Sequence, residues 1–192
     1  MARPGAEWFG GTMHPLARRR CLAHLLDCAG YLGIAAATIP VGVLLATTTD
    51  LGSSRLYGHL ASAVPPAIAT VIAARAESGP HRATWGKRRQ GLTVQAADGT
   101  ALGTGPALAR NLAKIFLPWQ LGHVCAVGAA WGGFEDGDAL TIGASIAVYP
   151  VIGIYVWTGL HGSGRGPHDV LAGSSVVPRT PAPAAGSVTS AP

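Results

Sequence analysis

The apolar residues of this chain fall in long blocks rather than at every second or every third-to-fourth position, as expected where the surrounding solvent is lipid. Crossing ~30 Å of hydrocarbon takes roughly 20 helical residues at about 1.5 Å each. Four blocks are long enough. The first runs from Cys21 to Thr47 and is interrupted by Asp27 and Pro40; the second runs from Tyr57 to Ala74, with Pro65 and Pro66 in its middle. The third is Ile115 to Phe134 and the fourth Ala139 to Leu160. The pattern predicts an all-α membrane protein built as a bundle of four transmembrane helices. The second block is Ala-rich and carries paired prolines, so it inserts less readily than a Leu-rich segment.

The polar stretches between and after these blocks are short. Residues Arg75 to Thr104 form a loop in which Gly91-Leu92-Thr93-Val94-Gln95 alternates small or apolar with polar positions, and Asp98-Gly99 supplies a tight-turn signal. A short hairpin is expected there. Pro106 suits the first position of a helix capped by Thr104 or Gly105, carrying Arg110, Asn111 and Lys114 before the third span. In that span Gly128 and Gly132 are spaced for close helix packing. Past the fourth span, Gly162 to Gly166 is followed by His168-Asp169. From Pro178 the composition turns to Pro, Ala, Ser, Thr and Gly, which cannot bury enough surface to fold. The expected organisation is a cytoplasmic segment over 1–17, a membrane domain over 18–177 and a disordered cytoplasmic tail over 178–192.

Charge fixes the direction of the spans. Of the 192 residues 48% are hydrophobic and 12% charged, about half the charged share of a soluble domain. The formal net charge of +5 is not laid out as a nucleic-acid surface: the basic residues cluster beside apolar blocks, with no interleaved aromatics. Arg18-Arg19-Arg20 precede the first span. Arg75, Arg82, Lys87, Arg88, Arg89, Arg110 and Lys114 surround the central loop, and Arg165 and Arg179 follow the last span. The opposite side holds Arg55 with Asp50, Glu135, Asp136 and Asp138. The positive-inside rule places both termini and the central loop in the cytoplasm, and an even number of spans agrees. Arg88-Arg89 with Lys87 reads as a topology signal and a binder of anionic headgroups.

Several other readings are excluded. Arg19-Arg20 ahead of an apolar run resembles a twin-arginine signal, but Asp27 interrupts that run and the run is too long for a signal peptide. Leu25-Leu26-Asp27-Cys28 fails as a lipoprotein box because a carboxylate stands where a small residue belongs. Cys21, Cys28 and Cys125 show no CxxC or Cys/His spacing, and His59, His123 and His161 fall on separate segments, so no metal site is expected. There is no phosphate loop and no nucleophile–base set, so neither an enzyme nor a cofactor is expected.

Asp27 carries the chemistry that remains. A charged aspartate at membrane depth costs about 2.5–3.5 kcal/mol on insertion scales, so it must face protein or water, or be protonated. At 100° per residue, Arg20, Ala23, His24, Asp27, Tyr31 and Ile34 share one stripe of the first helix, opposite Leu22, Leu25, Leu26, Ala29, Leu32 and Gly33. Arg20 and Asp27 stand about 10.5 Å apart along the axis, too far for an easy direct pair, with His24 between them as a bridge. Asp27 either exchanges a proton or cation or ties helices together by hydrogen bonds. Asp169 with His168 either closes a pathway by folding back toward Arg20 and the basic loop or caps a turn. Arg110, Asn111 and Lys114 either meet acidic partners and phospholipid headgroups or snorkel.

Three signatures lie in order along the chain. Arg20-Cys-Leu-Ala23-His-Leu-Leu26-Asp27 opens the first span. Thr84-Trp-Gly86-Lys87-Arg88-Arg89-Gln-Gly91-Leu92-Thr-Val94 leads to Asp98-Gly99 and Ala109-Arg110-Asn111-Leu112. Gly166-Pro-His168-Asp169-Val-Leu171-Ala172-Gly173 follows the last span. Over roughly Arg18 to Val177 the set resembles the RDD family of bacterial membrane proteins, named for one arginine and two aspartates. The resemblance implies that Arg20, Asp27 and Asp169 are those residues and that the chain resides in a bacterial plasma membrane. Val170 departs from the pattern, standing where an arginine often follows the His-Asp pair. Some members have been linked to sodium–proton exchange; others occur as accessory genes or fused modules. The expectation is a cation or proton transporter, moving protons or sodium through Asp27. Four helices make a thin pathway, so such a transporter would act as a homo-oligomer. The alternative is a non-catalytic membrane scaffold or a module that binds lipid or a partner.

Overall fold

The computed structural model describes residues 13–179. Residues 1–12 of the N-terminal segment and residues 180–192 of the tail lie outside the described residues. Helix α1 (Ala17–Thr48) leads through a 3-10 turn (Asp50–Ser53) into α2 (Arg55–Ser78). The central loop then contributes a short helix α3 (Trp85–Arg89) and strand β1 (Leu92–Ala96). Helix α4 (Thr104–Asn111), a π-helical turn (Leu112–Phe116) and α5 (Leu117–Ala130) follow as one helical run, and α6 (Ala139–Leu160), α7 (Pro167–Leu171) and strand β2 (Ser174–Pro178) complete the chain.

Among the described residues three helices, α1, α2 and α6, are long and apolar enough to cross a membrane. Their large apolar side chains point outward: Leu25, Leu32 and Ile39 on α1, Leu60 on α2, and Ile146 and Ile154 on α6 are all exposed. The interior is made largely of small residues, Ala69 and Ala73 of α2 with Ala23 of α1 among them. This inversion suits helices whose outer faces meet lipid and whose backbones approach closely within the bundle. Pro40, Pro65 and Pro66 sit inside unbroken helices, and both α2 prolines are buried.

The fourth block is α6 with the expected bounds. The third differs. Its helix stops at Ala130, four residues before Phe134, because the chain turns at Gly132 and Gly137 with φ of 72° and 68°. Gly132 therefore lies outside the helix and makes no packing pair with Gly128. Gly128 instead packs on α6 together with Gly133: a Cβ at either would run into the Thr141 side chain.

The hairpin expectation is also corrected. Strand β1 and its Asp98-Gly99 turn both form, but β1 pairs antiparallel with β2, Leu92 opposite Pro178 and Ala96 opposite Ser174. Four residues, 100–103, separate the turn from α4, too few to return a local strand. Val176 instead completes the buried face begun by Leu92 and Val94. Pro178, expected to open the disordered tail, closes β2, and the Arg179 amide donates to the Gly91 carbonyl at 2.8 Å.

Candidate functional site

Where the loop, α4 and the C-terminal segment meet the ends of α1 and α2, five charged side chains form an unbroken alternating chain. It begins at Asp27, ten residues into α1 and about 15 Å from the helix start. The Asp27 carboxylate accepts hydrogen bonds from the Thr84 hydroxyl at 2.6 Å and the Gly86 amide at 2.8 Å. A Cβ at residue 86 would collide with the Ala23 carbonyl and lie 2.8 Å from an Asp27 oxygen, so glycine is what allows α3 to dock here. Lys87 Nζ stands 3.9 Å from Asp27 and donates to Glu77 Oε1 at 2.8 Å. Glu77, fully buried at the end of α2, also accepts from Arg110 Nη1 at 2.6–2.7 Å and from Asn111 Nδ2 at 2.8 Å. Arg110 then turns its Nε and Nη2 to Asp169 Oδ1 at 3.0 and 2.9 Å.

Asp169 is held from three further sides. The Ser174 hydroxyl donates to it at 3.1 Å, the Gly166 amide at 3.3 Å in a capping arrangement at the start of α7, and His168 Nε2 lies 3.4 Å away. Burial alone would raise its carboxyl, but Arg110 first, then His168 and the Ser174 hydroxyl, hold it below the ordinary aspartate range. Burial likewise works against the Arg110 cation, and Glu77 and Asp169 outweigh it, raising the guanidinium above its usual value. His168 goes the other way: burial, helped by Arg110, pushes it well below the ordinary histidine value, with Asp169 opposing. It stacks flat on Tyr155 of α6 at 5.3 Å, and the Tyr155 hydroxyl donates to the Ala113 carbonyl in the π-helical turn at 2.8 Å.

Arg20 does not reach Asp27. Its guanidinium donates to the backbone carbonyls of Gly164 and Val176, tying α1 to the C-terminal segment, while its Nε is buried without a partner. His24 turns its Nε2 to Cys28 Sγ at 3.5 Å and forms no bridge between Arg20 and Asp27. Val170, the departure from the family pattern, is 64% exposed.

Beside the charged chain lies a cavity of about 450 Å³. Arg20, His24, Lys87, Arg110 and Lys114 line its polar end together with Asp169, and Ile115, Trp119, Ile152 and Val156 line its apolar end.

Sequence reasoning reached Asp27, Asp169, Arg110 and Asn111 but missed Glu77, where the charged chain crosses α2. Glu77 follows the apolar block directly, beside Arg75, and looks like an interfacial charge. Its being one of nine acidic residues, on the side where bases dominate, is the signal that marks it. Lys87, read as a topology signal, is 4% exposed and points inward, whereas Arg88 and Arg89 are exposed.

The family model of the RDD family matches residues 14–173, most of the chain and all of the charged cluster up to Asp169. The chain belongs to the RDD family. No curated protein and no solved structure matches it. In this RDD protein the three charged residues of the signature do not form a triad. Asp27 secures the loop, Asp169 secures α7 and β2 through Arg110, and Arg20 holds the backbone on either side of Asp169.

Proposed function

We propose that this RDD protein crosses a bacterial plasma membrane four times, with both ends and the central loop in the cytoplasm. In this reading it is a non-catalytic membrane module that binds lipid or a partner rather than a transporter working through Asp27. The helical run from Leu112 to Ala130 is the remaining crossing, short and preceded by its π-helical turn. The clustering of bases at one end of the bundle supports the orientation. The observation that carries the reading is that all three buried carboxylates among the described residues are already saturated. Asp27 holds Thr84 and Gly86, Glu77 holds Lys87, Arg110 and Asn111, and Asp169 holds Arg110 and Ser174. A transported cation would have to displace a lysine, an arginine or a backbone amide, each fixed by packing.

A second reading, cation or proton transport, draws support from a different observation. Within the membrane helices the Tyr31 hydroxyl, the Thr70 hydroxyl, Gln120 Oε1, both ring nitrogens of His59 and Nδ1 of His123 are buried without hydrogen-bond partners among the described residues. Polar groups so placed cost free energy unless water or an ion reaches them.

One experiment separates the two. Purified protein in proteoliposomes is loaded with a pH-sensitive dye and challenged with sodium and proton gradients, alongside Asp27→Asn. The binding-module reading expects no flux above empty vesicles. Flux that Asp27→Asn abolishes would replace it with the transporter reading.

A further inference from the structure

The cavity beside the charged chain has an unusual balance. Four cations line it, Arg20, Lys87, Arg110 and Lys114, against the single carboxylate of Asp169. Lys87 and Arg110 are spent on Glu77 and Asp169. The other two have no carboxylate within ion-pairing distance among the described residues: Arg20 meets only backbone carbonyls, and Lys114 joins no ion pair. An uncompensated cation in a low-dielectric wall is costly, and an anion is its natural complement.

The rest of the cavity describes what kind of anion. From Lys114 the wall continues through Ile115 and Trp119, the latter set edge-on to Tyr31 at 6.3 Å, and across to α6 at Ile152 and Val156. Ile152 and Val156 are 47% and 54% exposed, so the apolar end opens sideways on the lipid-facing surface of α6. The volume falls in the range of ordinary ligand sites, enough for a headgroup and the start of a chain but not for a whole lipid.

We propose that the cavity holds the head of an anionic phospholipid, its phosphate between Arg20 and Lys114 and an acyl chain leaving past Ile152 and Val156 into the bilayer. A free phosphate ion would satisfy the cations and leave the apolar walls uncovered. A zwitterionic lipid would bring its own cation into a cavity that already has an excess of them. The site joins α1, α5, α6 and the C-terminal segment, so an occupied head reports the membrane's anionic lipid content to the cytoplasmic lock of Asp169 and β2. This rests on the reading of the chain as a binding module and names its ligand. Lipid retention is measured in equilibrium without any gradient, so the outcome of the flux experiment does not decide it.

The full chain, purified in mild detergent, is incubated with phosphatidylglycerol, phosphatidylcholine or inorganic phosphate, and retained ligand is counted by native mass spectrometry. One phosphatidylglycerol per chain is expected, with phosphatidylcholine retained at least tenfold less, about the worth of one charge-assisted contact. Lys114→Gln is expected to weaken phosphatidylglycerol retention by roughly the same factor. Val156→Trp, which fills the apolar mouth, is expected to remove it. Ile154→Trp, on the same helix but outside the cavity lining, is the control and is expected to change nothing; unchanged thermal melting shows that each variant folds. Equal retention of the two lipids, displacement of phosphatidylglycerol by inorganic phosphate, or variants indistinguishable from the parent would each overturn the proposal, as would a second copy of the chain taking the lipid's place.

Discussion

Helix α2 carries a charge near each end, and the two ends are built differently. At the start of the helix Arg55 pairs with Asp138, with side chains 32% and 26% exposed, and Asp138 is shared with the Thr141 amide it caps. At the other end Glu77 is fully buried and meets Lys87, Arg110 and Asn111 at once. The residues stand 22 positions apart, about 33 Å along the axis, close to the thickness of a hydrocarbon core. The first pair is wetted, screened and replaceable by water. The second has no water to fall back on, so its members depend on one another. The same residue types thus do two jobs. One end closes a helix–turn junction, and the other binds a loop, a helix and a strand from three regions of the sequence into one unit.

The widest gap between the two ends should appear on truncation. Glu77→Ala leaves Lys87 and Arg110 facing each other in a buried site, a loss of about 3–5 kcal/mol. Most of this variant should fail to fold or should melt far below the parent in a detergent thermal-stability assay. A melting curve matching the parent would mean that water enters the cluster and that the contrast between the ends is false.

Asp169 gives the next effect and tests whether the lock can be opened from one side. Asp169→Asn keeps the shape and the capping bond but removes the charge facing Arg110, a loss of about 1–3 kcal/mol. The measurement is hydrogen exchange over β2, where amides of 174–177 should lose protection before those of α2. Because the folded carboxyl is held below its ordinary value, its contribution is fully present above the ordinary aspartate range and is lost as pH falls through the folded value. Acid should therefore loosen β2 in the parent and have a smaller effect in Asp169→Asn. Equal acid sensitivity in the two would assign the transition to another group.

How much of this could be seen in the sequence follows from range. Helices α1, α2 and α6 were legible because each is a local block of apolar residues, and α6 matches to the residue. The stripe of α1 that turns Asp27 inward was legible for the same reason. The partner of β1 was not, since β2 lies about 80 residues further on and Ser174-Ser-Val-Val-Pro178 carries no signal pointing back to Leu92. Glu77 was hidden by the same kind of distance. Its partners sit 10, 33 and 34 residues away, and nothing local distinguishes it from an interfacial glutamate. The resemblance picked out Arg20, Asp27 and Asp169 as a set without revealing that Glu77 links the two aspartates.

Gly86→Ala sharpens the comparison on the buried side at smaller scale. The added Cβ would press on the Ala23 carbonyl, which is helix backbone and cannot swing aside, so α3 must back away from Asp27. A loss of about 1–3 kcal/mol is expected, typical of overpacking at a tight contact. It should be accompanied by faster proteolysis of the loop after Ser78. Full resistance to protease would show that the loop is held by Lys87 and by Arg19, whose Nε donates to the Gln90 carbonyl at 2.8 Å, without the Gly86 contact.

Arg55→Ala should have the smallest effect, and its direction matters more than its size. The variant removes one guanidinium from a pair that water already reaches, while Asp138 keeps its bonds from the Thr141 amide at 2.9 Å and the Thr141 hydroxyl at 2.5 Å. The carboxylate at the start of α6 is therefore not stranded, whereas the loss of Glu77 takes away the carboxylate that Arg110 Nη1 meets. Raising the salt concentration should screen what remains of the pair, so parent and variant melting points should converge in high salt. Salt should change the shift caused by Asp169→Asn far less, because Asp169 and Arg110 are buried and in direct contact. If instead Arg55→Ala destabilised as strongly as Glu77→Ala, and salt did nothing to reduce it, the two ends of α2 would be equivalent. The charged cluster would then be one of two locks rather than the one that organises the loop and the C-terminal strand.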